Sequence, residues 1–160
     1  MKIVLVRHGE AEAARGNDAE RALTANGVAQ ARCTAAWLLR QTGDEGGSLA
    51  LLSSPYQRAQ QTAAVLGEYL RRPVLTLAEI TPDADPRRAL QALEQHMPGN
   101  DWLIVVSHMP LLAALARWLE EGVTGSGRGF GLAEARVLEA ETPGPGTAGL
   151  KAAFIPGLSG

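Results

Sequence analysis

Short apolar runs alternate along this chain with longer stretches in which apolar residues return every three or four positions. Residues 2–6 (KIVLV), 49–53 (LALLS), 74–78 (VLTLA) and 102–106 (WLIVV) are the short runs. Apolar on both faces, they predict buried parallel strands. Between them, Val28, Ala31, Ala35, Leu38 and Leu39 predict a helix over 25–40, with Thr24 as its N-cap and Leu23 just before it. Ala59, Thr62, Ala63, Leu66 and Leu70 predict a second helix over 56–70, with Pro55 suited to its first turn. A third is predicted over 87–97, between Pro86 and Pro98-Gly99. A fourth over 111–121 has Leu111, Leu112, Leu115, Ala116 and Leu119 facing inward. The tail predicts two final strands, 132–140 and 149–155, joined by the turn TPGPG. Residues 42–48 (TGDEGGS) read as a loop, and TGSGRGFG at 124–131 as a glycine-rich loop.

Strand and helix in strict alternation predict an α/β fold with a mostly parallel sheet and an antiparallel addition at one edge. No repeat or boundary divides the 160 residues, so a single domain over 1–160 is expected. The 20% charged residues and formal net charge of −2 remove any general argument for nucleic acid or an anionic membrane as partner. No apolar run is long enough to span a bilayer, and the one cysteine, Cys33, excludes an intrachain disulfide. A cytoplasmic protein, monomeric by default, is the expectation. Cys33, in a helix of small residues, is expected to be buried. Thirteen of the fifteen basic residues are arginine, which reflects either coding composition or sites for planar oxyanions.

The chemistry gathers where strands end. Ligands of an open parallel sheet bind beyond the carboxyl ends of its strands. The first strand ends at Arg7-His8-Gly9, the second leads through Ser53-Ser54-Pro55 to Arg58, and the fourth ends at Ser107-His108. Singly, each has a plain structural reading: a solvated strand-end charge, a satisfied polar histidine, a tight glycine turn. Together they place two arginines and two histidines around one concavity. Guanidinium forks pair with phosphoryl oxygens bidentately, and a neutral imidazole between them can attack phosphorus. Arg58 at a helix start opposes the dipole there, so it needs another partner. Two histidines and a loop carboxylate could instead ligate zinc, but neighbouring arginines would repel the cation. Gly9 after His8 provides either close approach or an unusual backbone angle. Ser53, Ser54 and Ser107 read either as donors near the site or as caps of the helices that follow.

The segments VRHGEAE (6–12), ALTANG (22–27), SSPYQRAQQTA (53–63), LAEITPDADP (77–86) and VVSHMPLLAAL (105–115) resemble the histidine phosphatase superfamily. In particular they resemble its small SixA-type phosphohistidine phosphatase branch. The resemblance implies a phosphoglycerate-mutase-like three-layer α/β/α sandwich without large helical insertions. It implies His8 as nucleophile, with Arg7, Arg58, His108 and Gly9 around the phosphate and no metal or cofactor. Glu79 is the positional match for the family's acid, although the fuller signature around it is missing, and Asp18 is the alternative. Arg21 is expected at the rim. The implied partner is a phosphorylated protein carrying phosphohistidine, with a small phosphate ester as the alternative substrate. A module that binds phosphate without turnover is the rival from another class, and it would have no need of a nucleophile at His8.

Overall fold

The protein is described here by a computed structural model covering residues 1–43 and 47–157. The middle of the 42–48 loop therefore lies outside the described residues. Among the described residues, six strands form one sheet: β1 Lys2–Arg7, β2 Leu49–Ser53, β3 Val74–Thr76, β4 Trp102–Ser107, β5 Ala135–Glu139 and β6 Gly149–Phe154. Their order across the sheet is β3-β2-β4-β1-β5-β6. The first four run parallel, β5 is antiparallel to β1, and β6 is antiparallel to β5. Four helices accompany them: α1 Ala25–Thr42, α2 Gln57–Leu70, α3 Pro86–Glu94 and α4 Leu111–Glu121.

The period-2 alternation of each strand divides the interior between two helix layers. Ile3 and Leu5 of β1 face α3 and α4, in a core with Leu52, Leu103, Val105, Leu112 and Leu138. Val4 and Val6 face α1 and α2, in a core with Leu38, Leu51, Leu66, Ile104 and Val137. Both faces of β1 and β4 are thus covered, which is why their sequences read as unbroken apolar runs. The result is the three-layer sandwich expected, with its antiparallel edge.

Local chemistry sets most helix ends. The Thr24 hydroxyl accepts from the Gly27 amide at the start of α1, and the Asp85 carboxylate accepts from the Arg87 amide at the start of α3. Some boundaries differ from expectation. Helix α2 begins at Gln57, so Pro55 precedes its first turn. Helix α3 stops at Glu94, since His96 and Met97 close tighter turns onto Leu93 and Glu94 before Pro98. Strand β3 ends at Thr76, and Ala78–Ile80 forms a 3-10 turn. Strand β5 is confined to 135–139. Cys33 is exposed, contrary to expectation. The buried stripe of α1 runs through Gly27, Ala31, Thr34, Ala35 and Leu38, and residue 33 lies off that stripe.

One contact joins fold to site. A Cβ built on Gly27 would stand 2.1 Å from the Glu10 carbonyl oxygen, and one on Gly9 would stand 2.5 Å from that of Gly27. The chain leaving β1 and the first turn of α1 therefore touch backbone to backbone. The two readings of Gly9 resolve to close approach, since its φ is not in the left-handed region. Glu10 reinforces the junction: its carboxylate accepts from the Thr24 hydroxyl at 2.8 Å and the Asn26 amide at 3.1 Å. Because backbone on both sides leaves no flexible tip to move aside, Gly27→Ala is expected to destabilise the fold by about 2–3 kcal/mol. A lowered midpoint of urea unfolding with unchanged slope checks this.

Candidate active site

The carboxyl ends of β1, β2 and β4 lie side by side, because Arg7 pairs with Ser107 and Ser53 with Val106 in the parallel register. This register brings His8, Arg58 and His108 together from three distant stretches of chain. The rings of His8 and His108 have their centroids 5.2 Å apart. His8, Arg58 and His108 are all buried, with 7%, 4% and 1% of their surfaces exposed, so their polar atoms must be satisfied by one another or by a ligand.

His8 is held in one tautomer. Its Nδ1 lies 2.7 Å from the Gly9 carbonyl oxygen, which can only accept, so Nδ1 carries the proton. Its Nε2 receives the Arg58 Nε–H at 3.3 Å, which requires a free lone pair there. Burial pushes the ring down to about 4. The Gly9 carbonyl opposes that shift, whereas Arg58, Arg7 and Arg21 reinforce it. At neutral pH His8 is therefore an uncharged imidazole whose nucleophilic nitrogen faces a guanidinium.

His108 sits beneath it. Its Nε2 is 2.7 Å from the Ser54 hydroxyl, which also accepts from the Tyr56 amide at 3.2 Å. The hydroxyl can donate to Nε2 or accept from it, according to the tautomer of the ring. The Nδ1 of the ring is buried without a partner. Burial, followed by His8 and Arg58, pushes this ring down to about 3, with Asp18 opposing. Ser54 thus orients the His108 ring and closes the turn before α2, whose N-cap is Tyr56. Ser107 instead donates to the Ile80 carbonyl at 2.6 Å, and Ser53 to the Ser54 carbonyl at 2.9 Å.

The arginines differ in their attachments. Arg58 spends all three types of donor: Nε on His8, one terminal nitrogen on the Asp18 carbonyl at 2.9 Å, the other on the Asp18 carboxylate at 3.2 Å. This answers the demand for a partner at the start of α2. Arg7 donates one terminal N–H to the Phe130 carbonyl at 2.8 Å, and its Nε is buried without a partner. Burial and the nearby Arg58 both lower its pKa. Among the described residues, two buried nitrogens without a partner, Arg7 Nε and His108 Nδ1, remain beside a neutral histidine. The Arg7 N–H is a donor that an oxyanion oxygen would satisfy.

The two carboxylates named from sequence lie apart. Asp18 begins a 3-10 turn over the site, bridging Arg58 and Arg21, and Arg21 also donates to the Glu12 carbonyl at 2.7 Å. Hydrogen bonding from Arg21, with help from Arg58, keeps the Asp18 carboxyl below its usual range despite partial desolvation. Glu79 is exposed in the turn Ala78–Ile80. No side-chain hydrogen bond or ion pair ties it to the four central residues, among the described residues. Its neighbour Ile80 is nevertheless fastened to Ser107, one residue before His108.

Several supporting residues had no signal in the sequence. Thr62 accepts from the Gly9 amide at 3.1 Å, and Ala133 donates its amide to the His8 carbonyl at 3.0 Å. Ala133 does so in a left-handed conformation, φ 56°, that glycine would adopt more cheaply. Thr62 was visible only as part of an apolar helical stripe, where a buried threonine has the option of a polar partner. Nothing in the sequence distinguished Ala133 from its neighbours.

Both histidines have pKa values below the unfolded value, so the unfolded chain binds more protons than the native one between about 3 and 6.5. Their contribution to stability is therefore whole above pH 6.5 and is lost as pH falls through about 4 for His8 and about 3 for His108. In a ¹⁵N NMR titration, both rings are expected to remain neutral down to pH 5, with His8 protonated on Nδ1. A midpoint near 6.5 for either ring would contradict this account.

Comparison with known proteins agrees with the geometry. Residues 3–81 match the model of the histidine phosphatase superfamily (branch 1). The chain is 35% identical over 129 residues to the phosphohistidine phosphatase SixA of Escherichia coli (strain K12), covering 78% of this chain and 77% of that protein. A solved structure of the protein histidine phosphatase SixA complexed with tungstate superposes with a TM-score of 0.84 at 29% identity, covering 98% of this chain and 97% of the other. The α-ribazole phosphatase of Shigella flexneri shares the fold, with a TM-score of 0.70 at 18% identity and 95% of each chain covered. A buried neutral histidine among arginines at the carboxyl ends of a parallel sheet, in a chain so similar to these relatives, belongs to the histidine phosphatase superfamily, in its SixA-type branch.

Proposed function

We propose that this chain is a phosphohistidine phosphatase, removing the phosphoryl group from phosphorylated histidine on a protein through a covalent intermediate on His8. The observation that carries the reading is the state of His8: Nδ1 capped by the Gly9 carbonyl, Nε2 unprotonated and facing Arg58. Arg7, Arg58 and His108 receive the phosphoryl oxygens, and Gly9, packed against the Gly27 backbone, presents the carbonyl that holds the His8 ring. The His8 Nε2 lone pair forms a bond to phosphorus as the bond to the leaving nitrogen breaks, and that nitrogen takes up a proton. Water then attacks the phosphorus and yields a proton to a carboxylate. The bond to Nε2 breaks, and orthophosphate departs from a neutral His8. The arginines supply the charge neutralisation that a metal supplies elsewhere, so hydrolysis is expected to persist in a chelator.

Support for a protein substrate comes from the 35% identity to a protein named for phosphohistidine. A small phosphate ester is the competing substrate class. The deciding comparison sets a phosphocarrier bearing phosphohistidine against a panel of sugar and nucleotide monophosphates. Turnover is expected on the phosphoprotein, and His8→Ala is expected to reduce it to background. Turnover confined to a metabolite would replace the protein substrate, and activity retained in His8→Ala would remove the mechanism.

Proton delivery divides the two carboxylates. Asp18, kept ionised by Arg21 and Arg58, is ill suited to donate a proton and suits a role bracing Arg58 or accepting from water. Glu79 makes no such ion pair among the described residues and is the proposed donor to a leaving group. An alkoxide needs that proton early, whereas a protonated imidazole leaves readily. Glu79→Gln is therefore expected to lower kcat on an alkyl phosphate about 100-fold and on phosphohistidine only a few-fold. Steady-state kinetics on the two substrates checks the contrast.

A further inference from the structure

Arg7 is anchored by a stretch of chain that the chemistry above does not use. Its amide donates to the Glu134 carbonyl at 3.0 Å and its guanidinium to the Phe130 carbonyl at 2.8 Å. Beneath these contacts lies a buried ion pair: Arg136 Nε donates to the Glu134 carboxylate at 2.5 Å, with 3% and 4% of the two side chains exposed. The remaining Arg136 donors go to the carbonyls of Arg128, at 3.0 Å, and Gly129. Its guanidinium lies 3.7 Å from the centre of the Phe130 ring. The second oxygen of Glu134 accepts from the Gly131 amide at 2.8 Å. Thus one ion pair holds residues 128, 129, 130 and 131, and the carbonyl in their midst holds Arg7.

This arrangement has a cost that stability alone does not explain. A buried ion pair is often no more stabilising than apolar residues of similar volume. The segment it grips is otherwise poorly ordered by its own sequence, since glycine at 125, 127, 129 and 131 leaves the backbone little local preference. A fixed carbonyl at Phe130 therefore needs fastening from outside the loop. The register supplies the fastener: Arg136 pairs with Leu5, so its side chain shares a sheet face with Arg7, two residues on. Arg58 repels Arg7 across the site, and an unanchored Arg7 would relax away from it.

We infer that the Glu134–Arg136 pair is a positioning device for Arg7, stapling the glycine-rich loop so that the Phe130 carbonyl aims the guanidinium and leaves Nε for an oxyanion. The inference rests on the proposed phosphate-binding role of Arg7. It also assigns the 128–131 end of the loop a fixed supporting role rather than that of a lid.

The test is a double-mutant cycle on the intact chain: wild type, Arg136→Lys, Arg7→Lys and the double variant. Orthophosphate affinity is read by calorimetry, and KM and kcat/KM on an aryl phosphate. Lysine at 136 keeps the charge and loses the fork. It is expected to weaken orthophosphate and raise KM about tenfold when Arg7 is present, and to change kcat/KM by at most about twofold when residue 7 is lysine. Equal factors in both backgrounds, or a folded Arg136→Lys that binds orthophosphate like wild type, would overturn the positioning role. Phe130→Leu keeps the carbonyl and both charges but loses the ring face. It is expected to show the same pattern at about threefold, and it decides the matter should Arg136→Lys not fold. Binding needs no turnover: the expected binding pattern without hydrolysis of any substrate overturns the enzyme reading alone. Hydrolysis with purely additive effects overturns the positioning alone, and a wild type that binds no orthophosphate overturns both.

Discussion

The backbone of residues 7–9 is the constraint from which the site follows. Arg7 donates its amide to Glu134, His8 donates to Ser107 and accepts from Ala133, and Gly9 donates to Thr62. The strand that ends here is therefore gripped by β4 on one side, by the approach to β5 on the other, and by α2 from above. The Gly9 carbonyl then aims the His8 ring. A side chain at a strand end would ordinarily fray with its loop. Here the fixed carbonyl dipole of Gly9 orients the imidazole, which is the preorganisation that the proposed nucleophile needs.

That preorganisation conflicts with stability. Two imidazoles, Arg58, and the Glu134–Arg136 pair are withdrawn from water, and such groups cost free energy unless each finds partners. Most do so through main-chain atoms: carbonyls of Gly9, Asp18, Arg128, Gly129 and Phe130 receive their protons. Main-chain acceptors move only if the fold moves, so the polar network is as rigid as the two apolar cores that flank the sheet. Among the described residues, the buried side-chain atoms left without a partner are Arg7 Nε and His108 Nδ1, both in the proposed phosphate site. The depressed pKa values of the two histidines have the same origin, since burial among guanidinium groups disfavours another positive charge.

Much of this was legible beforehand for a physical reason. Strands buried on both faces must be apolar throughout, and helices on a sheet must carry one apolar stripe, so β1, β2, β4 and all four helices declared themselves. Arg7, His8, Arg58 and His108 stood out because charged and titratable residues interrupt apolar strands only at their ends. Less legible were elements governed by neighbours. Short β3 gives its last residues to the turn Ala78–Ile80, and β5 begins only after the turn that Glu134 closes onto Gly131. Cys33 read as buried because its neighbours are small, yet its angle around α1 exposes it. Among the thirteen arginines, composition could not separate Arg136 from those that solvate a surface.

By itself, the sequence determined the fold class, the order of elements and the identity of the four central residues, because these depend on periodicity and on chemistry local to each strand end. Only the tertiary structure decided the tautomer of His8, the pairing of Arg58 with Asp18, the exposure of Glu79, and the burial of Glu134 and Arg136 beneath Arg7. Each of those depends on which main-chain carbonyl lies within hydrogen-bonding reach. That distance arises from packing residues up to 123 positions apart in the chain, as between Arg7 and Phe130, and no local pattern encodes it.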